Sequence, residues 1–146
     1  MSGIIVGVDG SGHSQRALAL AMREAAIRNV PLTVLTVHEA IRGYYSSMVT
    51  FEDDPSRTEE LRAMVQAETD KVLAELNGPR PDSVTVKAVH GYPVEEIINA
   101  GKDADMIVLG SRGAGGFTRL MMGSVSSQVV LHAHCPVLIV PPEDRG

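Results

Sequence analysis

The chain reads as an α/β domain, a doubly wound five-stranded parallel sheet of order 3-2-1-4-5 with helices on both faces. Three observations predict it. Five short apolar or β-branched runs alternate with four longer stretches of helical spacing, which argues for a parallel sheet covered on both sides. Right-handed crossovers leave few windings, and 3-2-1-4-5 is the natural doubly wound one. The 146 residues, 44 % of them hydrophobic, suit a single domain over 1–146 with a core of its own.

"IIVGV" (Ile4 to Val8) is a continuous apolar run of strand length. "SQRALALAMREAAIRN" follows with alanine, leucine and methionine at helical spacing. "LTVLTVH" (Leu32 to His38) is β-branched and predicts the second strand. The second helix is expected to open on Ser56-x-x-Glu59, a capping-box pattern, and to stop at Asn77-Gly78-Pro79. "SVTVKAVH" (Ser83 to His90) alternates as a strand does. Pro93 suits the first turn of a third helix. "DMIVLG" (Asp105 to Gly110) predicts strand four, "GSVSSQVVLHAH" a helix, and "PVLIVPP" a last strand closed by two prolines. Only "EAIRGYYSSMVTFEDDP" (Glu39 to Pro55) is long and irregular, a length typical of a lid, a contact surface or a plain connection.

Composition narrows the function. A net charge of −5, with lysine only at positions 71, 87 and 102, argues against a nucleic-acid partner. Cys135 is the sole cysteine, so an intrachain disulfide is excluded and a reducing compartment is expected. "MSGIIVGVDG" lacks the basic and apolar regions of a signal peptide. No apolar run approaches the roughly 20 residues of a membrane helix. The expectation is a soluble, cytoplasmic protein with no membrane partner.

Doubly wound sheets take ligands beyond the carboxyl ends of the strands where the winding reverses. With order 3-2-1-4-5 that point lies between strands 1 and 4. Strand 1 runs into "VGVDGS", bringing Asp9, and strand 4 into "VLGSRGAGGFTRLMMGSVSSQVV". The glycines of this stretch fail two phosphate-loop patterns: Thr118 stands where G-x-G-x-x-G needs glycine, and the loop has no Walker lysine. The spacing that fits is Gly110-x2-Gly113-x9-Gly123-Ser124, with a helix opening at its end. Glycines let backbone N–H groups approach an anion, and a helix N-terminus favours phosphate.

With these segments the chain resembles the universal stress protein family, and the resemblance spans essentially its whole length: "VGVDGS", "TVLTVHE", "GYPVEEII", "DMIVLGSRGAGGF", "LMMGSVSSQVV" and "HCPVLIV". The spaced glycines resemble the ATP-binding branch. The resemblance implies an ATP-binding regulator of the stress response that acts as a homodimer through the C-terminal strand Val137–Val140. It implies contacts from Asp9 to the nucleoside and from the Val37 backbone to adenine. Gly110 and Gly113 would lie near ribose and phosphates, and Gly123, Ser124 and Val125 would hold phosphates. An ionised Asp9 beside a triphosphate calls for Mg²⁺ as well. Gly7 departs from the proline common two residues before the aspartate; being small, it is expected to preserve the adenine slot.

Competing readings attach to several residues. Asp9 suits a helix cap or an Asp-Gly turn, and Ser124 an N-cap. Arg112 and Arg119 are the only cations of the glycine loop, either phosphate contacts or solvated surface. His132 and His134 are read as helix-end histidines rather than metal ligands, and Cys135 as inert. Two other readings compete with ATP binding alone: an AMP- or cyclic AMP-binding member, and a slow ATPase or phosphoryl transferase. No lysine or convincing base supports the latter. A third reading is a nucleotide-free dimeric scaffold whose glycines only shape a loop.

Overall fold

The computed structural model describes residues 3–10, 14–39, 54–111 and 123–141. Its elements run β1 (Ile4–Gly7), α1 (Gln15–Arg28), β2 (Leu32–Glu39), α2 (Pro55–Glu75), β3 (Val84–Gly91), α3 (Pro93–Ala100), β4 (Met106–Gly110), α4 (Ser124–His132) and β5 (Val137–Val140). All strand pairs are parallel, and the sheet order is β3-β2-β1-β4-β5, the Rossmann-like winding expected. In the register, Ile4 lies beside Leu32 on one side and Met106 on the other.

The alternation of strand side chains sorts the core into two layers. On one face Ile4, Val6, Leu32, Val34 and Val108 pack against Leu18 and Met22 of α1 and Val65 and Val72 of α2. On the other, Leu35, Ile107 and Leu109 meet Ile97 of α3 and Val129 of α4. Each such buried side chain stabilises the fold by about 1.5–3 kcal/mol, which explains why the central strands are apolar on both faces.

Helix ends differ in part from expectation. α1 stops because Asn29 turns left-handed (φ 57°) and sends its N–H back to Ala26, while Val30 N–H reaches Ala25 O at 3.0 Å. α2 starts earlier than the capping box suggests. Pro55 occupies its first turn, and Asp54 is the cap: its Oδ1 accepts from Ser56 N–H (3.0 Å) and Ser56 Oγ (2.7 Å). Glu59 is drawn away from the helix start by Arg62, whose guanidinium donates to both carboxylate oxygens at 2.8–3.1 Å. α2 ends at Glu75, where Leu76 turns extended; Arg80 reaches back to the carbonyls of Leu73 and Leu76. β1 ends one residue short of Val8, and β3 gains Gly91.

Candidate functional site

Three chain segments meet at the carboxyl edge of the sheet, between β1 and β4. The β1–β4 register pairs Val6 with Val108. Carried forward, it brings Val8 beside Gly110 and Asp9 level with Ser111. Asp9 is exposed there, and Gly10 takes a left-handed turn (φ 76°) directly after it. A Cβ on Gly10 would lie 3.0 Å from Met64 Cε, so the turn is seated against α2. Asp9 does not cap α1: that cap position belongs to Ser14, five residues on, which makes no side-chain capping bond.

Val37 stands half-buried near the end of β2, opposite Val89. Val8 N–H donates to Leu35 O at 2.9 Å, the final β1–β2 ladder bond among the described residues. Strand periodicity turns the N–H and C=O of Val37, two residues on, to the same side, beyond the end of β1.

The end of β4 is tied directly to the start of α4. Ser111 N–H donates to Val140 O (2.9 Å), continuing the β4–β5 ladder. Ser111 O accepts from Gly123 N–H at 2.7 Å. The buried Ser126 hydroxyl lies 3.2 Å from Ser111 O and 3.1 Å from Gly123 O. Ser111 and Gly123 therefore form one hydrogen-bonded neck between β4 and α4. Gly123 is the N-cap of α4, with no side-chain capping bond, and Ser124 is the first helical residue rather than the cap. The amides of Ser124, Val125 and Ser126 have no acceptor within the helix, since the first intrahelical bond is Ser127 N–H to Gly123 O (3.0 Å). Gly123 has φ −66°, open to any residue, so backbone conformation does not require glycine there.

The structure thus brings together Asp9, Gly110, Gly123, Ser124 and Val125, with Val37 on the strand beside them. Gly113, Arg112 and Arg119, and most of the Glu39–Pro55 connection, lie outside the described residues. Ser111 and Ser126 were missed by sequence reasoning; the only signal is a second serine two places after Gly123-Ser124, which looks like ordinary helix surface until the fold buries it. Gly7 serves packing: a Cβ there would stand 2.7 Å from Leu109 Cδ2 and 3.4 Å from Ile97 Cδ1. Its smallness makes room for core side chains.

His38 and His90 come together at the ends of β2 and β3, in register, with ring centroids 5.0 Å apart and edge-on. His38 Nδ1 shares a 2.9 Å hydrogen bond with Thr58 Oγ1, which fastens this corner to α2. Among the described residues no group of three or more His, Cys, Asp or Glu side chains converges, and no helix is long and apolar enough to cross a membrane. Burial pushes the Cys135 thiol above its usual range, with Asp105 adding to the shift and the Ile107 backbone bond opposing it.

The model of the universal stress protein family matches residues 1–141. The chain belongs to that family. It is 36 % identical over 143 residues to a universal stress protein of Mycobacterium tuberculosis, covering 97 % of this chain and 48 % of the relative. It is 37 % identical over 139 residues to one of Thermus aquaticus, covering 94 % and 96 %. This chain spans about half the length of the mycobacterial relatives it matches. Among solved structures it resembles UspA of Lactobacillus plantarum (TM-score 0.72, 27 % identity, covering 95 % and 97 %). It also resembles a universal stress protein in complex with cAMP (0.68, 25 %, covering 96 % of each chain). A third likeness is the Archaeoglobus fulgidus protein in complex with dAMP (0.62, 26 %, covering 95 % and 97 %).

Proposed function

We propose that this chain binds an adenine nucleotide at the β1–β4 edge, with ATP as ligand. The observation that carries the reading is the convergence of Asp9, the end of β4 and the uncapped N-terminus of α4 at the reversal of winding. In this reading the Val37 main chain meets the adenine edge and Asp9 the nucleoside. Gly110 and Gly113 lie along ribose and phosphates, and the first turn of α4 (Gly123, Ser124, Val125) faces phosphate; Arg112 and Arg119 add charge. Mg²⁺ fits the donor set: one exposed carboxylate with phosphate oxygens and water is a normal magnesium shell. The Asp9 carboxylate would hold the ion, which supplies charge neutralisation between carboxylate and phosphate.

A specific observation favours a second reading, a monophosphate ligand: two structural relatives were solved with cAMP and dAMP. Calorimetric titration of the full chain with ATP, AMP and cyclic AMP, each with Mg²⁺, separates them. Tight ATP binding that disappears in Gly123→Val supports the first reading. Cyclic AMP binding without ATP binding supports the second.

The unpaired edge of β5, with exposed Val130 and Leu131 on neighbouring α4, supports a homodimer through Val137–Val140. Sedimentation of a Leu131→Asp variant as a monomer, against a dimeric parent, is the expected result. The role is that of a cytoplasmic, nucleotide-dependent stress regulator, with at most slow hydrolysis.

A further inference from the structure

We propose that Ser126 is a positioning residue for the phosphate-facing turn of α4, an inference that rests on the nucleotide reading above. The carbonyls of Ser111 and Gly123 stand at the neck that joins β4 to α4, and each already accepts a backbone amide, Ser111 O from Gly123 N–H and Gly123 O from Ser127 N–H. The Ser126 hydroxyl is 4 % exposed and sits 3.2 Å from the first carbonyl and 3.1 Å from the second. Its single proton serves either acceptor, so it adds a second donor at the neck and ties the first turn of α4 to the end of β4. Gly123 N–H already donates to Ser111 O at 2.7 Å, which removes that amide from the anion-facing set. What the neck then presents is the amide row of Ser124 and Val125. A serine hydroxyl in the first turn of a helix commonly competes for backbone groups. Here the hydroxyl reaches both across the neck and along its own helix, which fixes the first turn of α4 relative to β4.

The geometry predicts a split between ligands that a merely structural hydroxyl would not produce. Ser126→Ala leaves the adenine and ribose contacts in place and loosens the neck that positions the Ser124 and Val125 amides, so ATP affinity falls about tenfold. Adenosine affinity stays unchanged. Ser126→Thr, which keeps the hydroxyl, returns ATP affinity to within about threefold of the parent. The experiment is calorimetry of ATP and adenosine with Mg²⁺ on the full chain of the parent and both variants, together with amide exchange at Gly123, expected to quicken in Ser126→Ala. Equal ATP affinity in parent and Ser126→Ala overturns the inference and leaves the nucleotide site standing. So do equal losses for ATP and adenosine, or unaltered exchange at Gly123. A parent that binds neither ligand overturns the nucleotide reading itself.

Discussion

Replacing Gly7 by alanine tests the packing under the site. The new Cβ would lie 2.7 Å from Leu109 Cδ2, against an optimum of about 3.5 Å for two carbons, an overlap of about 0.8 Å. Leu109 is 4 % exposed, and Ile97, its neighbour in the same core layer, is already 3.4 Å from that Cβ, so the leucine has little room to retreat. Overpacking of this kind costs about 1–3 kcal/mol. The lower entropy of the unfolded alanine chain offsets about 0.4–1 kcal/mol. The net loss is about 1–2 kcal/mol, or about 3–8 °C in Tm for a chain of this size. Urea and thermal denaturation followed by circular dichroism measure it. A double-mutant cycle with Leu109→Ala sharpens the test: the methyl introduced by Gly7→Ala fills part of the space vacated by the leucine, so the double variant is more stable than the sum of singles by about 1 kcal/mol. An unchanged Tm for Gly7→Ala, with strictly additive effects in the cycle, would refute the packing argument.

Three further outcomes are expected. Thr36 is fully buried in β2 and its Oγ1 lacks a hydrogen-bond partner among the described residues; Thr36→Val removes that hydroxyl at nearly constant shape and raises stability by about 1 kcal/mol, read as a higher urea midpoint. The Ser56 hydroxyl beside Asp54 holds its carboxyl below the ordinary 3.8, with the Ser56 and Arg57 amides and the Arg57 charge adding to the effect and desolvation opposing it. The cap therefore stabilises α2 above the ordinary carboxyl value and is lost as pH falls through the lowered folded one; the stability gap between parent and Asp54→Ala at pH 7 should shrink toward pH 2, and a gap independent of pH counts against the cap. Burial raises the Cys135 thiol, so at pH 8 the folded protein should be alkylated by iodoacetamide more slowly than after unfolding in urea; equal rates would show that burial does not protect it.

Much of this fold was legible because strands and helices announce themselves by period, and a strict β-α alternation allows few windings. The order β3-β2-β1-β4-β5 and the edge position of β5 agree with the doubly wound solution chosen from that alternation and right-handed crossovers. Helix starts were less legible. Ser56-x-x-Glu59 satisfies the capping pattern, but Pro55 moves the first turn back, and Arg62 occupies the glutamate. Asp9 and Ser124 are both good capping residues, yet Ser14 and Gly123 hold those positions.

By itself the sequence determined the fold class and, with the doubly wound order, the reversal of winding between β1 and β4. Those follow from local periodicity and chain connectivity, which are properties of the string. Only the tertiary structure decided that Gly7 makes room for Leu109, that His38 meets His90 across two strands, and that the Ser126 hydroxyl gathers the carbonyls of Ser111 and Gly123. Each joins residues far apart in sequence or turns on which way one buried side chain points, and distances of a few ångströms between such groups exist only once the layers have packed.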